Sequence, residues 1–174
     1  MEVSLELIKE LRKTTSASIS DCRKALEEAG SDLKKAMAIL RRRGLEIAQE
    51  KQDRAVREGR IESYVHLGNK LGVLLEVNCE TDFVARNEDF RQFTKDVAMQ
   101  IAAAGARYIK KEDVPQEVLD AEADKEAYCK ENCLLLQPFI KDPSITIQDY
   151  LTSIIAKVAE NIVIRRFIRY KIGE

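Results

Sequence analysis

The sequence has few of the side chains that bind metals or carry out catalysis. It contains one histidine, His66, and four scattered cysteines that form no CxxC motif. Because a protein metal site usually needs about four ligands, this composition argues against a metal site, and we expect no cofactor. We interpret the cysteines as reduced thiols of a cytosolic protein, two of them spaced to share a helix face: Cys22, Cys79, and the pair Cys129 and Cys133.

Long apolar runs and a strong net charge are also absent. No apolar run approaches the roughly 20 residues that cross a bilayer, and the amino terminus "MEVSLELIKELRKTT" has no basic region followed by an apolar stretch. We therefore predict a helix at the start, no secretory signal, no membrane segment and a cytoplasmic location. The net charge of −1 argues against binding nucleic acid through overall charge, although a local basic patch is compatible with it.

No catalytic constellation is evident. His66 could serve as a base and Cys79 as a nucleophile, but Cys79 lies on the apolar side of a predicted strand, where a small buried residue is the simpler interpretation. A glycine-rich phosphate loop is missing, and Gly68 and Gly72 fit a hairpin better. We predict that the protein is not an enzyme, with a thiol-dependent enzyme as an alternative.

Three short helices are predicted in residues 1–50. The stretch "TTSAS" separates the first two, since threonine and serine favour caps and turns. We predict that Ser20 caps the second helix, that Ser31 or Asp32 caps the third, and that Gly30 and Gly44 end them. Apolar residues recur at helical spacing: Leu5, Ile8 and Leu11; Cys22, Ala25, Leu26 and Ala29; Leu33, Ala36, Met37 and Leu40.

The stretch "RRRGLEIAQEKQDRAVREGR" is polar and rich in helix formers, and we predict a helical linker. Its basic run, Arg41 to Arg43, fits a solvated helix end, where positive charge complements the helix dipole. A nucleic-acid contact is the alternative. We predict two domains: residues 1–55 as a three-helix bundle with a linker helix, and residues 56–174 as an α+β core.

From Arg60 the hydrophobic period changes from helical to alternating. Two alternating runs on either side of "GNK" predict an antiparallel hairpin. A third strand is predicted at the carboxyl terminus, which would complete a small antiparallel sheet packed by helices. The fold class is therefore α+β. The alternating residues are Ile61, Ser63, Val65 and Leu67 in the first run, and Val73, Leu75, Val77 and Cys79 in the second.

Helices are predicted between the hairpin and the last strand. One ends near Gly105, and the charged stretch "KKEDVPQEVLDAEADKEAYCKEN" predicts another, with Pro115 near its first turn. "QPFIKDPS" is predicted as a loop. Thr146 and Asp149 form a capping-box pattern before a final helix. The first of these helices is defined by Phe90, Phe93, Val97 and Ile101, and the last by Leu151, Ile154, Ile155 and Val158.

The carboxyl-terminal strand mixes basic and aromatic residues in "IRRFIRYK", as nucleic-acid binding surfaces do. The alternative is an edge strand whose solvent side carries Arg165, Arg169 and Lys171, which discourage aggregation. We favour the edge strand. Its apolar face, interrupted by Arg166, is predicted to comprise Ile162, Ile164, Ile168, Tyr170 and Ile172.

The stretch "NCETDFVARN" places a large aromatic where the second strand ends and the chain turns polar. One interpretation is that Phe83 caps the sheet core and Asp82 caps a following turn. The other is that Phe83 protrudes as an anchor for another protein, since aromatics at interface centres often contribute roughly 2 kcal/mol or more.

Three stretches resemble the elongation factor Ts family. The first, "LIKELRKTTSASISDCRKALEEAGSDLKKAMAILRRRG", is similar to the family's ubiquitin-associated-like three-helix bundle. The second, "GVLLEVNCETDFVARNEDFRQFTKDVAMQIAA", resembles the core signature. The third combines "LLLQPFIKD" and "AENIVIRRFIRYKIGE". Together they cover most of the chain.

The resemblance implies a translation factor that promotes GDP release from elongation factor Tu. In the family, the element matching Thr81, Asp82, Phe83 and Val84 enters the nucleotide-binding domain of that partner and displaces magnesium. It implies binding to the GDP-bound and nucleotide-free partner, and no role for nucleic acid or membrane. Further partner contacts are implied for Arg12, Ile19, Ser20 and Gln100.

The sequence also departs from the family pattern. Ser16 and Ser18 stand where members often have glycine, and Gln100 stands where many have histidine. The chain has enough predicted strands for one sheet, as in the short members of the family, in which two chains form a dimer. We therefore expect a homodimer and a two-to-two complex with elongation factor Tu. A helical hairpin before Gln137 looks shortened.

Overall fold

The computed structural model describes residues 3–15 and 17–174. They form two compact units. The first comprises the chain up to Arg54 together with Thr152–Asn161, and the second comprises Ala55–Leu151 together with Ile162–Glu174. A late segment of the chain therefore belongs to the first unit, while the domain boundary at residues 55 and 56 stays a prediction.

The first unit begins with three helices, α1 (Leu5–Thr15), α2 (Ile19–Glu28) and α3 (Leu33–Lys51). Apolar residues at helical spacing meet in its interior, which confirms the predicted three-helix bundle. The buried residues of this core are Ile8, Leu11, Cys22, Ala25, Leu26 and Ala36.

Short polar side chains begin α2 and α3. Ser18 caps α2, since its Oγ accepts a hydrogen bond from the Asp21 amide at 3.1 Å. The prediction that Ser20 is the cap is wrong, because the extended backbone of Ser18 brings its hydroxyl to that amide, whereas Ser20 already lies inside the helix. Asp32 caps α3, as predicted, by accepting a hydrogen bond from the Lys35 amide at 3.0 Å.

The prediction that Gly44 ends α3 is wrong. The helix continues to Lys51, and Gly44 is buried within it. A Cβ atom at Gly44 would lie 3.5 Å from Cγ2 of Thr152 and 3.8 Å from Cβ of Ala156, both in the same unit. Glycine costs a helix interior about 1 kcal/mol relative to alanine, and here it permits this close approach. The first part of the predicted linker, residues 41–51, therefore belongs to α3.

The remaining elements are five strands and five α-helices, with single 3₁₀ turns at Lys111–Asp113 and Leu134–Leu136. In chain order they are β1 (Glu58–Val65), β2 (Leu71–Cys79), α4 (Asp82–Arg86), α5 (Glu88–Ala104), α6 (Gln116–Ala121), α7 (Lys125–Asn132), β3 (Pro138–Phe139), β4 (Asp142–Thr146), α8 (Ile147–Val158) and β5 (Ile162–Lys171).

The main sheet has the strand order β1-β2-β5, with both pairs antiparallel, and α5 packs against β1 and β2. This confirms the α+β fold class and places β5 at an edge. The alternating apolar residues of β2 are buried, as are the aromatic and aliphatic side chains of α5 that define this helix in the sequence. These residues are Val73, Leu75, Val77, Cys79, Phe90, Phe93, Val97 and Ile101.

The alternation in β1 is present, but its apolar side is exposed. Glu62 faces α5, where its carboxylate accepts a hydrogen bond from the Thr94 hydroxyl at 3.2 Å and pairs with Arg60 at 2.9 Å. Ile61 and Val65 therefore lie on the opposite side of the sheet, exposed to solvent.

The prediction that five apolar residues share one face of β5 is wrong. The pairing register shifts between Glu76 and Val77, which leaves Arg165 as an extra residue in β5. Ile162 and Ile164, before this bulge, are buried, whereas Ile168 and Tyr170, after it, are exposed on the other side of the sheet. The exposed apolar residues on that side, together with those of β1, β2 and the adjoining turn, form what we call the outer sheet face: Ile61, Val65, Leu67, Leu74, Ile168, Tyr170 and Ile172.

Two further predictions about the middle of the chain are wrong. The charged stretch is not one helix, because Pro115 begins α6 and Asp124 begins α7, with the extended residue Glu122 between them. The predicted loop "QPFIKDPS" contains β3 and most of β4, which pair as a short hairpin. The predicted capping box is confirmed, since Thr146 Oγ1 accepts from the Asp149 amide at 3.1 Å and the Asp149 carboxylate accepts from the Thr146 amide at 3.0 Å.

Candidate partner-binding site

The stretch "TDFV" forms the first turn of α4, directly after the central strand β2 ends. Thr81 has an extended backbone and caps this helix, and its Oγ1 accepts a hydrogen bond from the Val84 amide at 3.3 Å. Asn87 ends α4 and caps α5, accepting a hydrogen bond from the Asp89 amide at 2.8 Å. A single helical turn is thus held between two side-chain caps at the end of a buried strand.

Adjacent residues of α4 have opposite environments. The Val84 side chain is buried, with 4 % of its surface exposed, whereas Phe83 is 80 % exposed. The interpretation that Phe83 caps the sheet core is therefore wrong, and so is the assignment of Asp82 as a cap, since Thr81 fills that position. Val84 fixes the turn to the core, and the turn presents an aromatic ring to the outside.

Asp82 lies beside Phe83 on the exposed side of α4. Its carboxylate pairs with the Arg86 guanidinium at 2.9 Å, one helical turn away, and both side chains are mostly exposed. Pairs of this kind usually contribute only about 0.3–0.5 kcal/mol. The pair therefore orients the carboxylate weakly and leaves it accessible to another molecule.

Cys79 contacts the backbone of the turn that carries Phe83. It is fully buried, and its thiol donates a hydrogen bond to the Thr81 carbonyl oxygen at 3.2 Å. His66 lies beyond the other end of the hairpin, since Cys79 is paired with Glu58 at one end of the ladder and Val65 with Gly72 at the other. The structure therefore does not bring the thiol and the imidazole together, which removes the geometric basis for a thiol-dependent enzyme.

The other two cysteines with unusual spacing are also buried. Burial and the neighbouring Cys129 raise the pKa of the Cys133 thiol to about 11. Because the thiolate is the reactive form, Cys133 is held in its unreactive form at neutral pH. Among residues 3–15 and 17–174, no group of three or more histidine, cysteine, aspartate or glutamate side chains is arranged to hold a metal ion.

The basic stretches singled out in the sequence have acidic neighbours. Arg43 and Arg42 both reach Glu28, at 2.7 Å and 3.4 Å. In β5, Arg166 pairs with Glu76 at 2.6 Å, and this hydrogen bond holds the pKa of the Glu76 carboxyl below its usual range. Arg42, Arg43 and Arg166 therefore each have a carboxylate partner within the chain.

The remaining predicted contact residues differ in exposure. Arg12, Ile19 and Ser20 are exposed in the first unit. Gln100 is fully buried in the second. Its amide nitrogen donates to Gln137 Oε1 and to a backbone carbonyl, each at 3.2 Å, and its amide oxygen accepts from the Ile140 amide at 2.9 Å. The predicted partner contact of Gln100 therefore gains no support from its position.

The sequence interpretation missed several residues that shape this site. Cys79 was assigned only to the core, yet its thiol binds the turn that carries Phe83. Arg86 and Asn87 were not singled out, although the aspartate-to-arginine spacing of four and an asparagine before two acidic residues are readable signals of a helical pair and a cap.

The described residues include no helix long and apolar enough to span a bilayer.

Comparison with known proteins identifies relatives over the whole chain. The family model described as elongation factor TS matches residues 2–127 and 123–174. Elongation factor Ts of Carboxydothermus hydrogenoformans is 47 % identical, over 99 % of this chain and 90 % of the relative. The protein of that name from Thermodesulfovibrio yellowstonii is 46 % identical over 100 % and 98 %, and that from Caldanaerobacter subterraneus subsp. tengcongensis is 48 % identical over 99 % and 98 %.

These alignments also show a difference in length. The first extends over 195 positions, whereas this chain has 174 residues, so the relative contains residues that have no counterpart here. The two family matches meet at residues 123–127, where α7 begins. The shortened segment before Gln137 stays a prediction.

Proposed function

The chain belongs to the elongation factor Ts family, and from that premise we propose that it is a translation elongation factor that promotes the release of GDP from elongation factor Tu. The observation that supports this proposal most strongly is the exposure of Phe83 on a turn that is capped at both ends. A large aromatic ring that is 80 % exposed, beside a side chain that is 4 % exposed, is poorly explained by the needs of its own fold.

Phe83 is the anchor of the proposed contact. It is held in place before binding, because Val84 is buried and Thr81 and Asn87 cap the turn. Preorganisation of this kind reduces the entropy lost when two proteins associate. The ring enters the nucleotide-binding domain of elongation factor Tu, and the contact is stronger when that domain is distorted than when it holds GDP.

The release of GDP follows from linkage between two ligands. If the factor binds the nucleotide-free partner more tightly than the GDP-bound partner, then GDP must bind the factor-bound partner less tightly by the same ratio. No bond is made or broken, so the protein acts by binding and not as an enzyme. Asp82, adjacent to the ring, competes for hydrogen bonds near the phosphates, and the insertion displaces magnesium from the partner.

The outer sheet face supports a homodimer. Apolar side chains of this face lie in adjacent cross-strand rows: Val65 and Tyr170 flank Gly72 in one row, and Leu74 pairs with Ile168 in the next. A contiguous apolar surface on a sheet is usually covered by another layer, and two sheets pack face to face about 10 Å apart. A second copy of the chain provides a matching sheet, and the dimer then binds two molecules of elongation factor Tu in the cytoplasm.

Arg12, Ile19 and Ser20 provide a second contact with the partner, from the first unit. All three side chains are exposed on α1 and at the start of α2. Gln100 is not part of the proposed contact, because its amide groups are bonded within the chain.

The test is the rate of GDP dissociation from elongation factor Tu, measured with and without this protein across a range of magnesium concentrations. We expect faster release with the protein, and a smaller acceleration where magnesium is already scarce, because the factor then has less magnesium to displace. A dissociation rate unchanged by the protein at every magnesium concentration would contradict the proposed function. An acceleration independent of magnesium would contradict only the displacement step.

A further inference from the structure

The close approach of β1 to the end of β2 depends on Gly59. This glycine lies opposite Asn78, and its φ of +149° is one that residues with a Cβ atom rarely adopt. A Cβ atom at this position would collide with the Val77 carbonyl oxygen and would lie 2.7 Å from Cα of Asn78. Glycine inside a strand weakens it, and it often marks a place where another backbone approaches closely. Only glycine therefore fits here without moving the two strands apart.

The pairing of the two strands continues past Gly59. Glu58, the first residue of β1, pairs with Cys79, the last residue of β2. The side-chain amide of Asn78 also donates a hydrogen bond to the Glu58 carbonyl oxygen at 3.3 Å. The close approach at Gly59 therefore extends the ladder to the residue at which β2 ends.

The end of this ladder adjoins the turn that carries Phe83. The Cys79 thiol donates a hydrogen bond to the Thr81 carbonyl oxygen at 3.2 Å, and Thr81 Oγ1 caps α4 by accepting from the Val84 amide at 3.3 Å. α4 also packs directly against β1 as well as against β2. β1 thus supports the turn in two ways, through Cys79 and by its own contact with α4.

We propose that Gly59 is a positioning residue for Phe83. By allowing β1 to pair with β2 as far as Cys79, it holds the capped turn in the orientation that enters elongation factor Tu. The proposal rests on the proposed function, since it concerns how the same ring is presented to the partner. A side chain that is ordered before binding loses less entropy when the complex forms. Gly59 therefore acts on nucleotide exchange through the order of the turn.

Protection of the sheet edge does not account for this glycine. β1 is an edge strand, and charged side chains on the inner side of such a strand discourage pairing with other chains. Arg60 and Glu62, which pair at 2.9 Å, already provide that feature next to Gly59. The steric requirement at Gly59 is directed at β2, the strand that ends at the turn.

The test is Gly59→Ala in the full-length protein, alone and combined with Phe83→Ala. Release of a fluorescent GDP from elongation factor Tu is measured at a limiting concentration of the factor. We expect Gly59→Ala alone to reduce the acceleration about tenfold, the equivalent of ordering one large side chain at an interface. In the Phe83→Ala background we expect Gly59→Ala to change it by less than about twofold, because a residue that acts through the ring has no effect once the ring is absent.

Hydrogen–deuterium exchange of backbone amides is a second measurement, which does not need the partner. The amides of Val84 and Ala85 both donate to Thr81 within the turn, so their protection reports its order. We expect Gly59→Ala to raise the hydrogen–deuterium exchange rate of both amides by about tenfold or more, because local opening of the turn becomes easier. The amide of Cys22, in the first unit, should keep its wild-type protection.

The matched control is Gly72→Ala, at the other end of the same hairpin. A Cβ atom there would lie 3.8 Å from the Tyr64 carbonyl oxygen, which is an ordinary contact. We expect wild-type nucleotide exchange and wild-type protection of the α4 amides. Thermal melting and sedimentation verify the fold and assembly of each variant.

A milder variant is available if Gly59→Ala does not fold. Asn78→Ala removes the hydrogen bond to the Glu58 carbonyl oxygen and leaves Gly59 in place. We expect it to reduce the acceleration of GDP release about threefold, again only when Phe83 is present, because one hydrogen bond contributes little net free energy.

The outcomes separate this proposal from the proposed function. Unchanged nucleotide exchange in Gly59→Ala overturns the positioning role, as does an equal loss in Gly72→Ala. A loss that persists in the Phe83→Ala background also overturns it, because a general loss of folded protein would then explain the effect. A wild-type protein that does not accelerate GDP release overturns the proposed function alone, and the protection of the α4 amides then still decides whether Gly59 orders the turn.

Discussion

Two exposed apolar regions of this molecule differ in shape and in how they are held. α4 presents one ring, Phe83, on a single helical turn fixed by the buried Val84 and by two caps. The outer sheet face presents seven exposed apolar side chains from three strands and the residues adjoining them. A single projecting ring suits insertion into a pocket and later withdrawal, whereas a broad apolar face suits a permanent partner. The comparison teaches that exposure alone does not define a function; the geometry that presents the side chain does.

The largest expected effect is on nucleotide exchange and comes from Phe83→Ala. Truncating a central interface aromatic often costs about 2 kcal/mol or more, so we expect acceleration of GDP release at a limiting concentration of the factor to fall about thirtyfold or more. Because the ring is exposed, the free energy of unfolding and the dimer should not change. The measurement is release of a fluorescent GDP from elongation factor Tu.

Two controls sharpen this first prediction. Leu45→Ala removes another exposed apolar side chain, on α3, and is expected to leave exchange unchanged. Cys79→Ser keeps a donor for the Thr81 carbonyl and is expected to retain most of the activity. Loss of activity in Cys79→Ser together with full activity in Phe83→Ala would support a thiol mechanism and contradict our assignment.

The second largest effect is expected on the assembly of the homodimer and comes from Ile168→Asp. This residue lies in the middle of the outer sheet face, paired with Leu74. A carboxylate buried between two sheets would be strongly unfavourable, so we expect a monomer by sedimentation, whereas Phe83→Ala remains a dimer. Lys95→Asp, on the exposed side of α5, is the control and should stay dimeric. A dimeric Ile168→Asp, or a monomeric wild type, would refute the assigned interface.

Val84→Ala is expected to have a smaller effect, which reduces both the stability of the fold and nucleotide exchange. Removing two buried methyl groups should lower the free energy of unfolding by about 2 kcal/mol, from lost burial and the cavity left behind. Exchange should also weaken, because Phe83 loses the anchor that orients it. Chemical denaturation and GDP release measure the two effects. A variant that is less stable but fully active would show that the anchor does not position the ring.

The smallest effect is expected from Arg86→Ala. Its ion pair with Asp82 is largely exposed, so its loss should change the free energy of unfolding by less than about 0.5 kcal/mol. Exchange should change by no more than about twofold, the equivalent of that energy. A much larger loss of exchange, at unchanged stability, would mean that Arg86 itself contacts the partner.

Much of the fold was predictable because its signals are local. The alternation in β2, the helical spacing in α1 to α3 and the paired side chains of Thr146 and Asp149 each depend on neighbours within a few residues. The position of Phe83 at the end of β2 was equally readable. Its exposure was not, because periodicity gives no preference between a ring that closes its own core and one that leaves it.

The errors arise where distant contacts decide between equivalent local patterns. Ser18 and Ser20 have the same capping chemistry, and the backbone angles select the first. Gly44 resembles a helix end, but the approach of Thr152 makes it an interior residue. An alternating strand has two faces, and only the position of α5 determines that the polar side of β1 is the inner one. The bulge at Arg165 is invisible to a strict two-residue period.

The central claim is that Phe83 makes the protein prefer nucleotide-free elongation factor Tu over the GDP-bound form. The most direct test compares the dissociation constants of wild type and Phe83→Ala for both forms of the partner by calorimetry. We expect wild type to bind the nucleotide-free form much more tightly and Phe83→Ala to lose most of that difference. An undiminished difference in Phe83→Ala would contradict the account, because the preference would then reside elsewhere in the interface.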